Sequence, residues 1–342
     1  MTTRPKDVAA MVTSQVLDAL RTGTIPWRQP WSPCGPTMHR NAVTNRAYRG
    51  SNRITLPTIA AGNGYRLPLW LSFRQAQALG GCVRKGEKSA PVVYWHFGTN
   101  TKTNTDGTKT MKRSVWLRYF AVFNVAQCDL PAEVMERFER TCVSRPNPEP
   151  GAAARALRDH LTAWMAAEGI AMTTGTGAFY SSQHDRITMP DGAAWTNANA
   201  GEHYTATLAH ECAHATGHDR RLNRKLGNGF GSKDYAREEL IAELAASFLA
   251  CAYGMDTPDI GENRNAYIAS WLKALENDPR AVVVAAGAAE RAAEYVTGRT
   301  VPAVVDDPET VQAEEPEPEP KPAPPPAPAP ANNAEPGSLF NA

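Results

Sequence analysis

The run His210-Glu211-Cys212-Ala213-His214 carries the most specific chemical signal in this chain. On a helix, side chains four positions apart share one face, so both imidazoles can reach a single metal ion. Zinc accepts such a pair. A glutamate beside its open coordination position can take a proton from the bound water and pass it to a leaving amine. The pattern therefore predicts His210 and His214 as ligands of one Zn²⁺ per chain and Glu211 as the general base. The context suits a helix: TATLAHECAHATG contains no proline and ends at Gly217.

Zinc needs a third protein ligand. The extended pattern HExxHxxGxxH fails here, because Gly217 is in place but Arg220 stands where the last histidine would be. His218 sits two residues early and is a minor alternative. The stronger source is the segment YAREELIAELAASFLACA, residues 235–252, with Glu239 and Glu243 four apart beside the stripe Leu240, Leu244 and Phe248. Glu239 is the expected ligand. Glu243 is the expected acceptor of a histidine N–H, a contact that fixes the ring's tautomer, and the reverse assignment stays open. Glu238 points about 100° away around the helix and is the weaker candidate.

Several elements must hold these groups. Apolar spacing predicts helices over about 202–216, 235–252, 263–275 and 279–297, an Ala-rich helix over 153–169, and a short strand from Arg186 to Met189. A separate N-terminal unit, residues 8–131, carries an amphipathic helix over 8–22 and another over 73–80. It also has two strand-like runs, APVVYWHF (90–97) and VWLRYFAVFNV (115–125), with a polar, mobile loop expected over 99–113. Residues 132–152 are assigned to a linker, most clearly at VSRPNPEPGA. The tail, 300–342, holds 12 of the 27 prolines and reads as disordered. The expected class is α+β. It has a small basic α+β domain, a mostly helical domain over 153–299, and a disordered Pro/Glu-rich tail.

Charge is segregated along the chain. Residues 1–131 carry 18 Lys and Arg against 5 acids, a net of +13, while the whole chain is only +1. Aromatic residues are interleaved with these cations. Together they point to a polyanion partner, and to single-stranded DNA rather than duplex, since no groove-reading motif is present. Candidate contacts are Arg46, Arg49, Arg53, Arg84, Lys85 and Lys88, with Trp27 and Trp31 in IPWRQPW as stacking residues. No apolar run is long enough to cross a membrane, and the N-terminus lacks the apolar core of a secretory signal. The cysteines, Cys34, Cys82, Cys128, Cys142, Cys212 and Cys251, form no CxxC pair and read as reduced thiols of an intracellular protein.

Glu239-Leu240-Ile241-Ala242-Glu243 resembles the ExxxD segment of thermolysin-like and neprilysin-like peptidases, in which the first acid binds zinc. That resemblance implies a zincin-type domain with an edge strand beside the metal, for which Arg186–Met189 is the natural candidate. It also implies an oxyanion proton donor, for which Tyr180, His203, Tyr204 and Tyr235 are open. Taken as a whole, the chain resembles the ArdC/TraC family of plasmid-encoded antirestriction proteins. The resemblance rests on IPWRQPW, NRAYRGSN, LWLSFRQAQALGGCVRKGEK, FAVFNVAQCDLP, FYSSQHDRITMP, TLAHECAHATGHDRRLNR and YAREELIAELAASFLACA. It implies a single-stranded-DNA-binding domain joined to a zincin-like metallopeptidase domain. Such a protein works in the bacterial cytoplasm, or in a recipient cell during conjugation, to protect incoming DNA from host restriction endonucleases. Cys212 departs from the apolar residue common in relatives.

Overall fold

Val8, Val12, Val16 and Leu20 recur every fourth position, and all are essentially inaccessible. They form the buried stripe of helix α1 (Pro5–Arg21). The computed structural model describes residues 5–28, 38–103, 109–143, 151–195, 199–224, 226, 233–255, 269, 271–272, 275 and 278–298. Trp31, most of the helix expected over 263–275, and the tail 300–342 lie outside the described residues.

The molecule is a two-domain α+β protein. The N-terminal sheet has the order β1-β2-β5-β4, built from Arg40–Asn41, Leu69–Leu71, Lys109–Asn124 and Ala90–Thr103. Helix α2 (Asn52–Gly62) covers it, with Leu56 and Ala60 against Trp70, Val92 and Val122. Asn52 caps the β4 edge by exchanging two hydrogen bonds with the Val93 backbone, at 2.8 and 2.9 Å. Short helix α3 (Phe73–Ala78) opens with a Ser72–Gln75 capping box. A two-stranded patch pairs β3 (Cys82–Val83) with β6 (Cys128–Asp129).

Two expectations for this half need correction. Residues 99–113 are not a polar loop throughout, because β4 and β5 stay paired out to Thr103↔Lys109. Threonine suits extended backbone, and the ladder continues from an apolar base. The expected linker 132–152 begins as helix α4 (Ala132–Val143), whose first turn is bonded back to the Pro131 carbonyl. Val134 and Phe138 bury against Leu69, Leu71 and Val125, so this helix belongs to the N-terminal unit.

The C-terminal half is built from α5 (Ala152–Glu168), α6 (Ala200–Ala215), α7 (Lys233–Tyr253) and α8 (Ala281–Thr297), beside a three-stranded sheet. Alanines along α8 let it pack closely on α7, and α7 in turn packs on α6. In the sheet, β9 (Arg186–Pro190) lies between β7 (Ala171–Gly175) and β8 (Phe179–Ser181). The strand expected at an edge is therefore the central one. Its partner β7, AMTTG, is short and solvent-facing, so no apolar alternation announces it.

The two halves share one core. Helix α1, Trp27, Ile54, Val93 and Leu117 join the cluster that contains Leu208, Leu240 and Leu249. Thr13 donates to the Pro279 carbonyl at 2.9 Å, and Ser247 donates to the Trp27 carbonyl at 2.6 Å.

Candidate metal centre

Helix α6 presents His210 and His214 one turn apart, and α7 brings Glu239 across to them. The two Nε2 atoms are 3.1 Å apart. Glu239 reaches His210 Nε2 with one oxygen and His214 Nε2 with the other, each at 3.5 Å. Four ligands about 2.05 Å from a tetrahedral Zn²⁺ would stand about 3.3 Å from one another. The donor set thus has both the chemistry and the spacing for such an ion. Among the described residues this is the one convergent set of three or more metal-capable side chains. His218 is outside it, with Nδ1 facing Asp219 at 2.7 Å.

The other ring nitrogens also face carboxylates. His210 Nδ1 is 3.6 Å from Glu243, and His214 Nδ1 is 3.3 Å from Glu238. A proton on each Nδ1 leaves both Nε2 lone pairs and the Glu239 carboxylate pointing at one another. Such a cluster needs positive charge at its centre. Burial disfavours a charged His210 ring, but the carboxylates of Glu239 and Glu243, with Glu211 nearby, outweigh it and hold the ring at about 10. His214 is raised in the same way, by Glu238 and Glu239 against its burial. For Glu239, burial is overcome by the two histidines, which push its carboxyl far below the usual range.

Glu238 was the acid that sequence spacing ranked last. It is no ligand, but it holds His214, and Arg224 holds it. Arg224 donates from Nε and Nη2 to the two Glu238 oxygens at 3.0 and 2.7 Å, and also to the Ala213 carbonyl and the Thr216 hydroxyl at 2.7 and 2.8 Å. One guanidinium thus ties the end of α6 to α7. Gly217 makes room for it, since a Cβ there would lie 3.0 Å from Arg224 Nη2 and 2.9 Å from Leu226. The available signal was a planar cation ten residues after a metal histidine, which spacing alone does not interpret.

Glu211 is buried on α6 next to His210. The Cys212 thiol is fully buried, raised by that burial and by Glu211, and takes no part in the donor set. Of the four possible proton donors, Tyr180 is engaged elsewhere. Its hydroxyl donates to Asp185 at 2.7 Å and accepts from the buried Arg221 at 3.1 Å, and Arg221 also pairs closely with Asp185. Tyr204 stacks edge-on against Trp195, 5.8 Å between centroids. Tyr235 stands one turn before Glu239, and His203 two turns before His210, both part-buried.

The expected DNA residues divide. Trp27 is 2% exposed and packs edge-on against Trp271, so it is a core residue and not a stacking platform. Arg49 and Arg53 turn toward α8. Arg49 pairs closely with Glu294, while Arg53 sits 3.3 Å from Glu290, donates to the Phe248 carbonyl at 2.9 Å and lies 4.0 Å over the Phe248 ring. These two arginines join the domains, which corrects their expected role. Arg46, Arg84, Lys85 and Lys88 are exposed, but Arg84 is shared by Glu87 at 2.9 Å and Asp129 at 3.6 Å.

With this geometry in place, comparison with known proteins is informative. Residues 6–123 match the N-terminal domain of anti-restriction factor ArdC, and residues 159–288 match a zincin-like metallopeptidase domain. The DNA primase TraC of Escherichia coli is 36% identical over 304 residues, which are 83% of this chain and 26% of that protein. This chain therefore spans about a quarter of that relative. The uncharacterized protein y4eC of Sinorhizobium fredii is 33% identical over 309 residues, covering 85% of this chain and 92% of its own length. Crystal structures of the antirestriction ArdC protein from plasmid R388, one metal-free and one Mn(II)-bound, superimpose with a TM-score of 0.64 at 35% identity. They cover 85% of this chain and 97% of theirs. No described helix is long and apolar enough to cross a membrane.

Proposed function

The chain belongs to the family of ArdC-type antirestriction proteins, and from that premise we propose that it is a zinc metallopeptidase-type protein that binds single-stranded DNA. In this reading it acts in the bacterial cytoplasm, protecting plasmid DNA from host restriction during conjugation, with restriction endonuclease subunits as candidate protein targets. The observation that carries the metal part is the approach of His210, His214 and Glu239 at 3.1–3.5 Å. A purely structural zinc site takes four protein ligands. Here the described residues offer three, which favours a site with a position left for water or substrate.

A zinc ion held by these three side chains would polarise a scissile carbonyl and acidify a bound water. Glu211, buried beside His210, is the residue that would take a proton from a water in the site and pass it to the departing amine nitrogen. Glu243 and Glu238 keep each histidine's proton on Nδ1, so that both Nε2 atoms stay available as donors of electron pairs. Arg224 keeps Glu238 ionised and in place. The sheet edge open to an extended peptide is β7 or β8, since β9 is paired on both sides.

The test separates metal from chemistry. Glu211→Gln should retain about one zinc per chain and lose peptide hydrolysis. If conjugal DNA remains protected in that variant, the second reading gains: a DNA-binding protein that protects without proteolysis. If the variant and the wild type hydrolyse a peptide library equally, Glu211 is not the base.

A further inference from the structure

Residues 19–86 contain ten Lys and Arg and no Asp or Glu. Acids from elsewhere in the chain reach some of these cations: Glu290 and Glu294 hold Arg49 and Arg53, and Glu87 and Asp129 hold Arg84. The cations left over narrow where a strand can lie. We infer that single-stranded DNA is held where the hairpin 40–47 meets the first turn of α3, on a surface made by Val43, Arg46, Phe73 and Arg74. This rests on the DNA-binding reading above.

The hairpin folds at the edge of the four-stranded sheet. Arg40 bridges Ala47, the Asn41 N–H donates to the Arg46 carbonyl at 2.9 Å, and Asn45 takes the positive φ that closes the turn. One side chain pins its tip to α3. Asn41 accepts the N–H groups of Val43 and Thr44 at 3.0 and 2.9 Å, and exchanges two bonds with Gln75, at 2.9 and 3.3 Å. Gln75 also completes the Ser72 capping box, so the turn that carries Phe73 and Arg74 is fixed against the hairpin that carries Val43 and Arg46. Val43 and Phe73, 51% and 49% exposed, are the most exposed large apolar residues of the N-terminal domain among those described. Arg46 and Arg74 are exposed too, and among the described residues neither guanidinium has an acid partner. A ring whose face can stack on a base, an aliphatic group for the sugar, two unpaired cations for phosphates and no carboxylate to repel them are what a sequence-tolerant single-strand contact requires. The anchoring through Asn41 and Gln75 means that little ordering remains to be done on binding.

The experiment uses the full chain and a fluorescent oligo-dT over a salt series. Arg46→Gln/Arg74→Gln should bind more weakly, and its log–log salt slope should fall by about 1.4, from about 0.7 per lost phosphate contact. Phe73→Ala should weaken binding about tenfold at an unchanged slope, and Phe73→Trp should keep wild-type affinity, because the larger ring still stacks. Arg137→Gln/Arg140→Gln removes the same charge from α4, among Glu133, Glu136 and Glu139, and should change the slope by less than half as much. Equal slope losses in the two double variants overturn the site, as does wild-type affinity in Phe73→Ala with an unchanged thermal midpoint. If a variant does not fold, photocrosslinking of a bromodeoxyuridine strand to the wild type decides: crosslinks at Phe73 or in the hairpin support the site, and crosslinks confined to other residues overturn it. Intact DNA affinity with lost protection of plasmid DNA in cells would make this a protein-docking surface, and also overturns the proposal. A wild type that binds no oligonucleotide at low salt overturns the single-strand reading of the whole domain, and this site with it. Retained binding in the variants overturns the site alone.

Discussion

The metal centre and the basic domain both concentrate charge, but they dispose of it differently. In the metal centre the two histidines and the carboxylates of Glu238, Glu239 and Glu243 each have a near partner of opposite sign. Two histidines meet three carboxylates, and the outermost carboxylate meets Arg224. In the basic domain the cations split between two tasks. Arg49 and Arg53 satisfy acids on α8, whereas Arg46, Lys85 and Lys88 stay in water. The lesson is that a net charge of +13 does not measure a binding surface. Part of it is interface, fixed by acids that lie about 240 residues away along the chain.

The comparison breaks most decisively at Glu239. Glu239→Ala removes one of three donors and leaves two imidazoles facing each other, so metal affinity should drop by at least about a thousandfold. Single-strand DNA affinity should be unchanged. Competition against a chromophoric chelator and the oligonucleotide titration read the two on one sample. A parallel loss of DNA binding would mean that the centre also holds the N-terminal domain together.

Arg53→Ala should do the reverse. It leaves Glu290 with only the Gly50 amide at 3.0 Å and Arg49 at 3.8 Å, and removes the guanidinium from the Phe248 ring in a site that is nearly closed to water. Breaking such a buried pair costs about 3 kcal/mol. Chemical denaturation should show that loss, with the DNA salt slope intact. A reduced slope at full stability would return Arg53 to the DNA face.

A smaller effect separates ligands from the groups that orient them. Arg224→Gln and Glu238→Gln should each weaken metal binding by about 10- to 100-fold without abolishing it. Arg224→Lys should not rescue, because a point charge cannot bond both Glu238 oxygens and the α6 carbonyl together. Wild-type affinity in Arg224→Gln would make this cluster a structural tie and nothing more.

How far the sequence foretold these features depended on the kind of signal. His210, Glu211 and His214 were legible because helix periodicity turns a spacing of four into a shared face. Glu239 and Glu243 were legible for the same reason, one helix later. Glu238 and Arg224 were not, because their meeting depends on how the turn after Gly217 folds back on α7. Helix α1 was predicted correctly as a helix, but its burial against α8 is a contact between chain ends that periodicity cannot supply. Trp27 and Arg53 failed as DNA residues for that reason too. Composition marks a residue as able to stack or pair, and only the tertiary fold says with what. The base of the β4–β5 ribbon was legible in the runs 90–97 and 115–125, but its extension to Thr103 and Lys109 escaped because a polar threonine-rich stretch has no apolar alternation to reveal it.

The smallest predicted effect tests whether the basic domain has a buried titratable group that behaves unlike those of the metal centre. His39 is buried beside Trp70, whose indole N–H donates to its Nδ1 at 2.8 Å. Burial without a carboxylate partner pushes the ring down to about 3, the opposite of His210. The unfolded chain therefore binds a proton more readily than the folded one throughout the interval below the ordinary histidine value of 6.5. The contribution to stability is complete above that value and is lost progressively as pH falls toward 3. By pH ~5.5 the loss should be about 1.4 kcal/mol, from linkage at one pH unit below the unfolded value. His39→Asn keeps an acceptor for Trp70 and has no titrating ring, so its denaturation free energy should fall by that much less between neutral pH and the same acid point. Equal acid sensitivity in the two proteins would show that the ring is charged in the folded state, with Arg53, which lines the same small cavity, too far away or too well paired to oppose it.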